Sequence, residues 1–246
     1  MSRIAIIVAL ERELHPLVQG WTRSSFDRGG RIFSCFESGD LIAVAGGIGC
    51  RPAELAARAV VEKYQPQTLI SAGLAGALIR SLKVGSIVTP NVIVDAANGT
   101  EYRCQPSGDV VGGGVLVSAD AITGAGAKSA LAERFHALVV DMEAAGVAKV
   151  AQESNIGFRC VKAISDEFDF AMPPLDAFVD REGNFHTGSF LAWSLIRPQQ
   201  WLMTIRLARN SARATQALAD WLRRTLNGNL SQATVVTLSG AEPFKN

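Results

Sequence analysis

The run Ile4-Ala5-Ile6-Ile7-Val8-Ala9-Leu10 contains no polar residue. A strand of this kind suits a position covered on both faces, as in the sheets of α/β proteins. Similar runs recur along the chain. Strands are expected over 31–37 and 41–45, joined by the turn residues Ser38-Gly39-Asp40, then over 68–71, 84–95, 115–118, 138–140 and 158–164. A helix is expected to begin over 11–18. Another covers 51–64, where Ala53, Ala56, Ala57, Val60 and Tyr64 recur at helical spacing, and others 127–135 and 144–152. The polar, glycine-rich stretch between 95 and 114 reads as loop. This alternation predicts a single α/β domain over 1–246, with a central mixed or mostly parallel β-sheet flanked by helices on both faces. After Asp166 the pattern changes. Met172-Pro173-Pro174 breaks the chain, and a helical, arginine-rich C-terminal extension follows over 188–228.

Of the 246 residues 48% are hydrophobic and 19% charged, which supplies a sizeable core and excludes a disordered chain. The formal charge of +1 gives no electrostatic case for nucleic acid, so a small, near-neutral ligand is expected. Cys35, Cys50, Cys104 and Cys160 form no C-x-x-C pair, and with His15, His136 and His186 they make no zinc spacing. They read as structural thiols, with no metal or organic cofactor implied. Glu11 follows the first strand too closely for a signal peptide, and no apolar run reaches the roughly 18 residues of a membrane span. A cytoplasmic protein is expected.

Carboxylates stand at the ends of three expected strands: Glu13 after the first, Asp141 and Glu143 after 138–140, and Asp166 after 158–164. Ligands of open α/β sheets bind beyond the carboxyl ends of the strands. Each acid taken singly is equally well read as a helix N-terminal or solvated charge. Gly46-Gly47-Ile48-Gly49 lacks the G-x-G-x-x-G dinucleotide pattern, because Pro52 takes the place of the last glycine. Gly73-Leu74-Ala75-Gly76 reads as a turn that lets backbone approach a ligand or a helix pack tightly. Ala127-Lys128-Ser129 lacks the glycines of a phosphate loop and is set aside.

Taken in order, Val8 to Leu14, Gly47-Ile48-Gly49, Ser71 to Gly76, Val140-Asp141-Met142-Glu143-Ala144-Ala145 and Ala163-Ile164-Ser165-Asp166 resemble the purine nucleoside phosphorylase / methylthioadenosine–adenosylhomocysteine nucleosidase superfamily. The resemblance covers roughly residues 4–170. It implies a nucleoside phosphorylase-like fold and cleavage of the C1′–N9 bond of a purine nucleoside, adenine above all. Asp166 matches the general acid that protonates the leaving base at N7, with Ser165 orienting it. Glu143 matches the grip on the ribose hydroxyls and Met142 the packing on the sugar. Ala75, Gly76 and Ile122 match the walls around ribose and base. Glu13 matches the acid that activates water in the nucleosidase branch, as the second carboxylate does in an inverting glycosidase. The phosphorylase branch would use phosphate as co-substrate, with Arg12, Arg51 and Arg80 as the arginines available to it. A homodimer or higher oligomer is implied.

The chain departs from the family pattern at several positions. Ala121 is small where an aromatic usually stacks on adenine, leaving Phe168 or Phe170 as substitutes, and Lys162 stands where an arginine is usual. The tail, including Phe178 to Gly183 and Ile205-Arg206-Leu207-Ala208-Arg209, is similar to a hopanoid-associated phosphorylase-like subgroup thought to act on a lipid-linked nucleoside. Trp193, Leu195, Ile196, Trp201, Leu202 and Met203 would then line a path for an apolar substituent, or instead pack the tail onto the core or a second copy. Arg206, Arg209 and Arg213 share a helical face suited to anionic lipid or to solvent. Three functions follow: a hydrolytic nucleosidase, a phosphorylase, and a nucleoside-binding regulatory protein without turnover.

Overall fold

The first apolar run forms β1 (Ile4–Val8), buried at four of its five positions. It lies parallel to β4 (Leu41–Ala45) on one side and β5 (Thr68–Ala77) on the other. The computed structural model that gives this arrangement describes residues 3–106, 113–120, 125–170, 175–180, 182–186, 188–190 and 201–238. Beyond β4 the sheet continues antiparallel through β3 (Arg31–Ser38) and β2 (Thr22–Arg28). On the far side of β5 come β10 (Ala137–Asp141), β9 (Val115–Ser118), β7 (Val92–Asp95) and β8 (Glu101–Arg103), while β11 (Gly157–Asp166) pairs with β5 and with the short β6 (Ile87–Val88).

Helices cover both faces of this mixed sheet. On one side α2 (Cys50–Tyr64) and α4 (Ala144–Glu153) bury alanine- and valine-rich stripes against β1, β5 and β11. On the other, the long C-terminal helix α5 (Trp201–Leu238) lays Ala214, Leu218, Trp221, Leu222 and Leu226 on Ile6, Val8, Ile70 and Val161. These positions recur every three to four residues, the spacing of one helical face. The short α1 (Glu11–Leu14) follows β1, and α3 (Ala125–Phe135) packs on β9 and β10. No helix among the described residues is long and apolar enough to cross a membrane.

The pairing of β5 creates the site. Along one edge its first residues pair with β1 as far as Ser71, and its last residues, Gly76 and Ala77, pair antiparallel with β10. Because β1 runs with β5 and β10 against it, the carboxyl ends of β1 and β10 point at each other. Between them four residues of β5, Ala72 to Ala75, lack a strand partner on that edge. That gap is about 13 Å at strand rise. The other edge of β5 is held throughout by β11. The acids that follow β1 and β10 therefore converge on one opening.

Three sequence expectations need correction. Gly73 to Gly76 is not a turn: β5 runs through it, because β11 continues to supply hydrogen-bond partners. Asp166 is the last residue of β11 rather than a position after the strand, and a bulge at Ser165 precedes it. The stretch after 95 contains β8, which turns back on β7 through Asp95 and the residues up to Thr100. The edge strand β2, polar at most positions, had no apolar signature to reveal it.

Candidate active site

The opening between β1 and β10 widens into a cavity of about 700 Å³, lined by residues from every element around the gap. Glu13 enters from α1, Leu74, Ala75 and Gly76 from β5, Met142 and Glu143 from the turn after β10, and Ser165 and Asp166 from β11. Seven of the eight site residues expected from sequence thus line one cavity; the eighth, Ile122, lies outside the described residues. So do Trp193, Leu195 and Ile196.

Glu13 is buried, and its Oε2 has no hydrogen-bond partner among the described residues. Burial pushes its carboxyl up to about 7, against the pull of Lys162, Arg12 and backbone hydrogen bonds from Ala9 and Leu10. A group poised there can take a proton from water near neutral pH. A Cβ on Gly73, whose φ is +144°, would stand 3.2 Å from Glu13 Oε2 and 3.6 Å from Lys162 Nζ. The bare glycine leaves room for both.

Behind Glu13 a buried charge network sets the turn after β10. Lys162 Nζ lies 2.8 Å from Asp141 Oδ2, both side chains being wholly buried. Asp141 also accepts hydrogen bonds from Ser118 Oγ at 2.6 Å and from the Ala144 backbone N–H at 2.9 Å. These three contacts anchor Asp141 at the start of α4, although it also borders the cavity. Glu143 lines the cavity beside it. Its Oε1 accepts from the Gly49 N–H at 3.0 Å, and burial together with Asp141 pushes its carboxyl up to about 7.

At the opposite end stands Asp166, 4% exposed. Ser165 Oγ donates to its Oδ1 at 2.8 Å, and Lys128 Nζ, from α3, to its Oδ2 at 2.5 Å. A Cβ on Gly76 would lie 2.8 Å from Asp166 Oδ2, so that glycine is what admits the carboxyl. No motif marks Lys128 in the sequence, because Ala127-Lys128-Ser129 lacks the glycines of a phosphate loop. Its signal is helical phase: Lys128, Leu131, Ala132 and Phe135 fall on the inward face of α3.

The glycine loop after β4 is closed to anions. The N–H groups of Gly46, Gly47, Ile48 and Gly49 donate to Val8 O, Ala9 O, Gly183 O and Glu143 Oε1 respectively. Of the three arginines considered for phosphate, Arg80 pairs with Asp169 at the surface and Arg51 is exposed on α2. Arg12 does line the cavity, its guanidinium 5.6 Å from the centre of the Phe185 ring. Phe168 and Phe170 do not line the cavity; Arg80 lies over one and Arg206 over the other. Phe185 and Phe190 are its aromatic walls among the described residues. Among those residues no group of three or more His, Cys, Asp or Glu side chains is placed to hold a metal ion.

The family model of the phosphorylase superfamily matches residues 3–121 and 103–186. The chain belongs to that superfamily. A 5′-methylthioadenosine/S-adenosylhomocysteine nucleosidase of Buchnera aphidicola (subsp. Acyrthosiphon pisum, strain APS) is 27% identical over 199 residues, 68% of this chain and 86% of the relative. The nucleosidase of the same description from Bacillus cereus (strain B4264) is 27% identical over 201 residues, covering 67% and 85%. Solved structures that share the fold include two nucleoside hydrolases. The S-adenosylhomocysteine nucleosidase of Streptococcus pyogenes with 5-methylthiotubericidin has a TM-score of 0.69 at 21% identity, covering 92% of this chain and 97% of its own. The futalosine hydrolase of Helicobacter pylori strain 26695 has a TM-score of 0.69 at 19% identity, covering 92% and 98%.

Proposed function

We propose that this chain hydrolyses the N-glycosidic bond of a purine nucleoside, with adenine as the preferred base. It is an enzyme of the N-glycosyl hydrolase and nucleoside phosphorylase kind. The observation that carries the hydrolytic reading is the pairing of a poised, unpartnered Glu13 oxygen with a glycine loop whose N–H groups are all taken. Water can be activated beside Glu13, while phosphate would find only Arg12 among the three arginines considered.

In this reading the sugar lies over Met142, its hydroxyls are held by Glu143, and the base runs past Ala75 and Gly76 towards Asp166 and Ser165. As the C1′–N9 bond breaks, Asp166 protonates the base at N7, and Glu13 takes a proton from the water that attacks C1′. The two acids have opposite tasks at opposite ends of the cavity. Ile122 belongs to the base wall by resemblance. The enzyme works as a homo-oligomer in the cytoplasm with no cofactor.

The deciding experiment is base release from methylthioadenosine, adenosylhomocysteine and adenosine, with and without phosphate. Adenine and free ribosyl product without phosphate support hydrolysis. Strict phosphate dependence with a ribose 1-phosphate product overturns it in favour of a phosphorylase. A second reading concerns the 5′ substituent. The cavity is also lined by Pro16, Phe185 and Phe190 and, from α5, by Leu207, Ala208 and Ala212 beside the polar Thr204, Ser211, Thr215 and Gln216. The apolar part of this lining suits a nucleoside carrying a bulky lipid at its 5′ end. Release of base from such a nucleoside, and from none of the three small ones, would favour it.

A further inference from the structure

Two lysines, Lys128 and Lys162, are wholly buried among the described residues. Lys162 answers Asp141 within the sheet. Lys128 reaches in from α3, and its ammonium makes two directed hydrogen bonds to the end of β11: one to Asp166 Oδ2 at 2.5 Å, one to the carbonyl of Glu167 at 2.8 Å. It does not line the cavity, whereas Asp166 does. Burying an ammonium carries a heavy desolvation penalty, and a packed apolar side chain would serve stability at least as well. The lysine's position is better matched to what Asp166 does.

We propose that Lys128 is a positioning residue for the general acid: it fixes the Asp166 carboxyl towards the leaving base and stabilises the charge Asp166 acquires in the reaction. This rests on the reading of Asp166 as that acid. In the step, the C1′–N9 electron pair passes to the base and the Asp166 proton to N7. The water oxygen bonds to C1′ and loses a proton to Glu13. Asp166 is left a carboxylate in a site almost closed to solvent, where unpaired charge is far less stable than in water. Ser165 holds the other oxygen but is neutral; the Lys128 ammonium supplies the opposite charge. Because Ser165 and Lys128 donate to both oxygens of Asp166 in the resting site, the carboxylate takes up from solvent the proton it delivers as the nucleoside binds. The charge that Lys128 stabilises returns as the bond breaks, so the contribution falls on kcat rather than KM.

The test compares kcat and KM of Lys128→Met, Lys128→Gln, Asp166→Asn and the double variant Lys128→Met/Asp166→Asn on the purine nucleoside that the wild-type chain hydrolyses fastest. Lys128→Met is expected to lower kcat on the order of 10- to 100-fold, part of the contribution of a general acid, with KM changed about threefold or less. The double variant is expected to be no slower than Asp166→Asn alone, because the lysine acts through the aspartate. A folding defect would instead lower the active fraction in both backgrounds, and the effects would multiply. Multiplied effects, or a Lys128→Met kcat at the wild-type level, overturn the role. If Lys128→Met does not fold, Lys128→Gln, which keeps a donor and loses the charge, decides by the same criteria. Full activity in Asp166→Asn would remove the general-acid reading and this inference together. An inactive Asp166→Asn beside a normal Lys128→Met removes the inference alone.

Discussion

Glu13 and Gly73 share one small space: the unpartnered Oε2 of Glu13 lies 3.2 Å from where a Cβ on residue 73 would stand. The glycine also holds a φ of +144°, which side-chain-bearing residues rarely adopt. Gly73→Ala therefore meets strain of roughly 1–3 kcal/mol and a methyl group pressed on the proposed base. Loss of most of the kcat, with a thermal midpoint only several degrees lower, is expected from steady-state assays and calorimetry. An alanine variant with wild-type kcat would mean that Glu13 does not act from this position.

The raised Glu13 carboxyl gives opposite pH trends in activity and stability. As a general base it must be ionised, so kcat/KM should rise with pH through about 7, and Glu13→Gln should abolish that limb along with most of the activity. For stability the sign reverses. Glu13 and Glu143 both sit near 7 in the folded chain and near 4.5 when unfolded, so the folded state binds more protons between those values. Their contribution is fully present below about pH 4.5 and is lost as pH rises through about 7. Denaturant midpoints measured from pH 5 to 8 should fall more gently in Glu13→Gln than in the wild-type chain.

The Lys162–Asp141 pair predicts a structural and a catalytic consequence. Removing one member of a buried pair leaves a charge without compensation, so Asp141→Ala should destabilise the chain by roughly 3–5 kcal/mol, read from urea unfolding. Lys162→Met has the same structural effect and also removes the cation that pulls hardest on the proposed base. The Lys162 charge holds the Glu13 carboxyl down, so its loss should move the acidic limb of the pH–rate profile upwards. A limb that stays in place while stability falls would confine Lys162 to architecture.

Sequence made the convergence of Glu13, Glu143 and Asp166 readable, because strand ends and the motifs beside them are local features. The opposed directions of β1 and β10 are not local, and they explain why those ends face each other. The continuation of β5 through Gly73 to Gly76 was hidden for a related reason: two glycines read as a turn unless the partner strand β11 is known. Asp141 and Glu143 look alike in sequence. Both border the cavity, and only the contacts of Asp141 with Ser118 Oγ, the Ala144 N–H and Lys162 mark it as the anchor. Lys128 was legible only in its helical phase, which a search for phosphate motifs does not examine.

The helix α5 offers a way to separate the chemistry from the choice of 5′ substituent. Leu207, Ala208 and Ala212 line the cavity from α5, whereas Asp166, Glu13 and Glu143 reach it from the strand ends and the turns after them. Ala212→Trp adds an indole on an exposed part of the helix and need not disturb the core beneath Ala214 and Leu218. If this apolar lining holds the 5′ substituent, this variant should release base from adenosine as the wild-type chain does. It should lose about tenfold or more in kcat/KM on a nucleoside with a bulky apolar 5′ group, the larger part through KM. Equal losses on both substrates would place Ala212 against the nucleoside itself. No loss on either would mean that the 5′ group does not lie against Ala212.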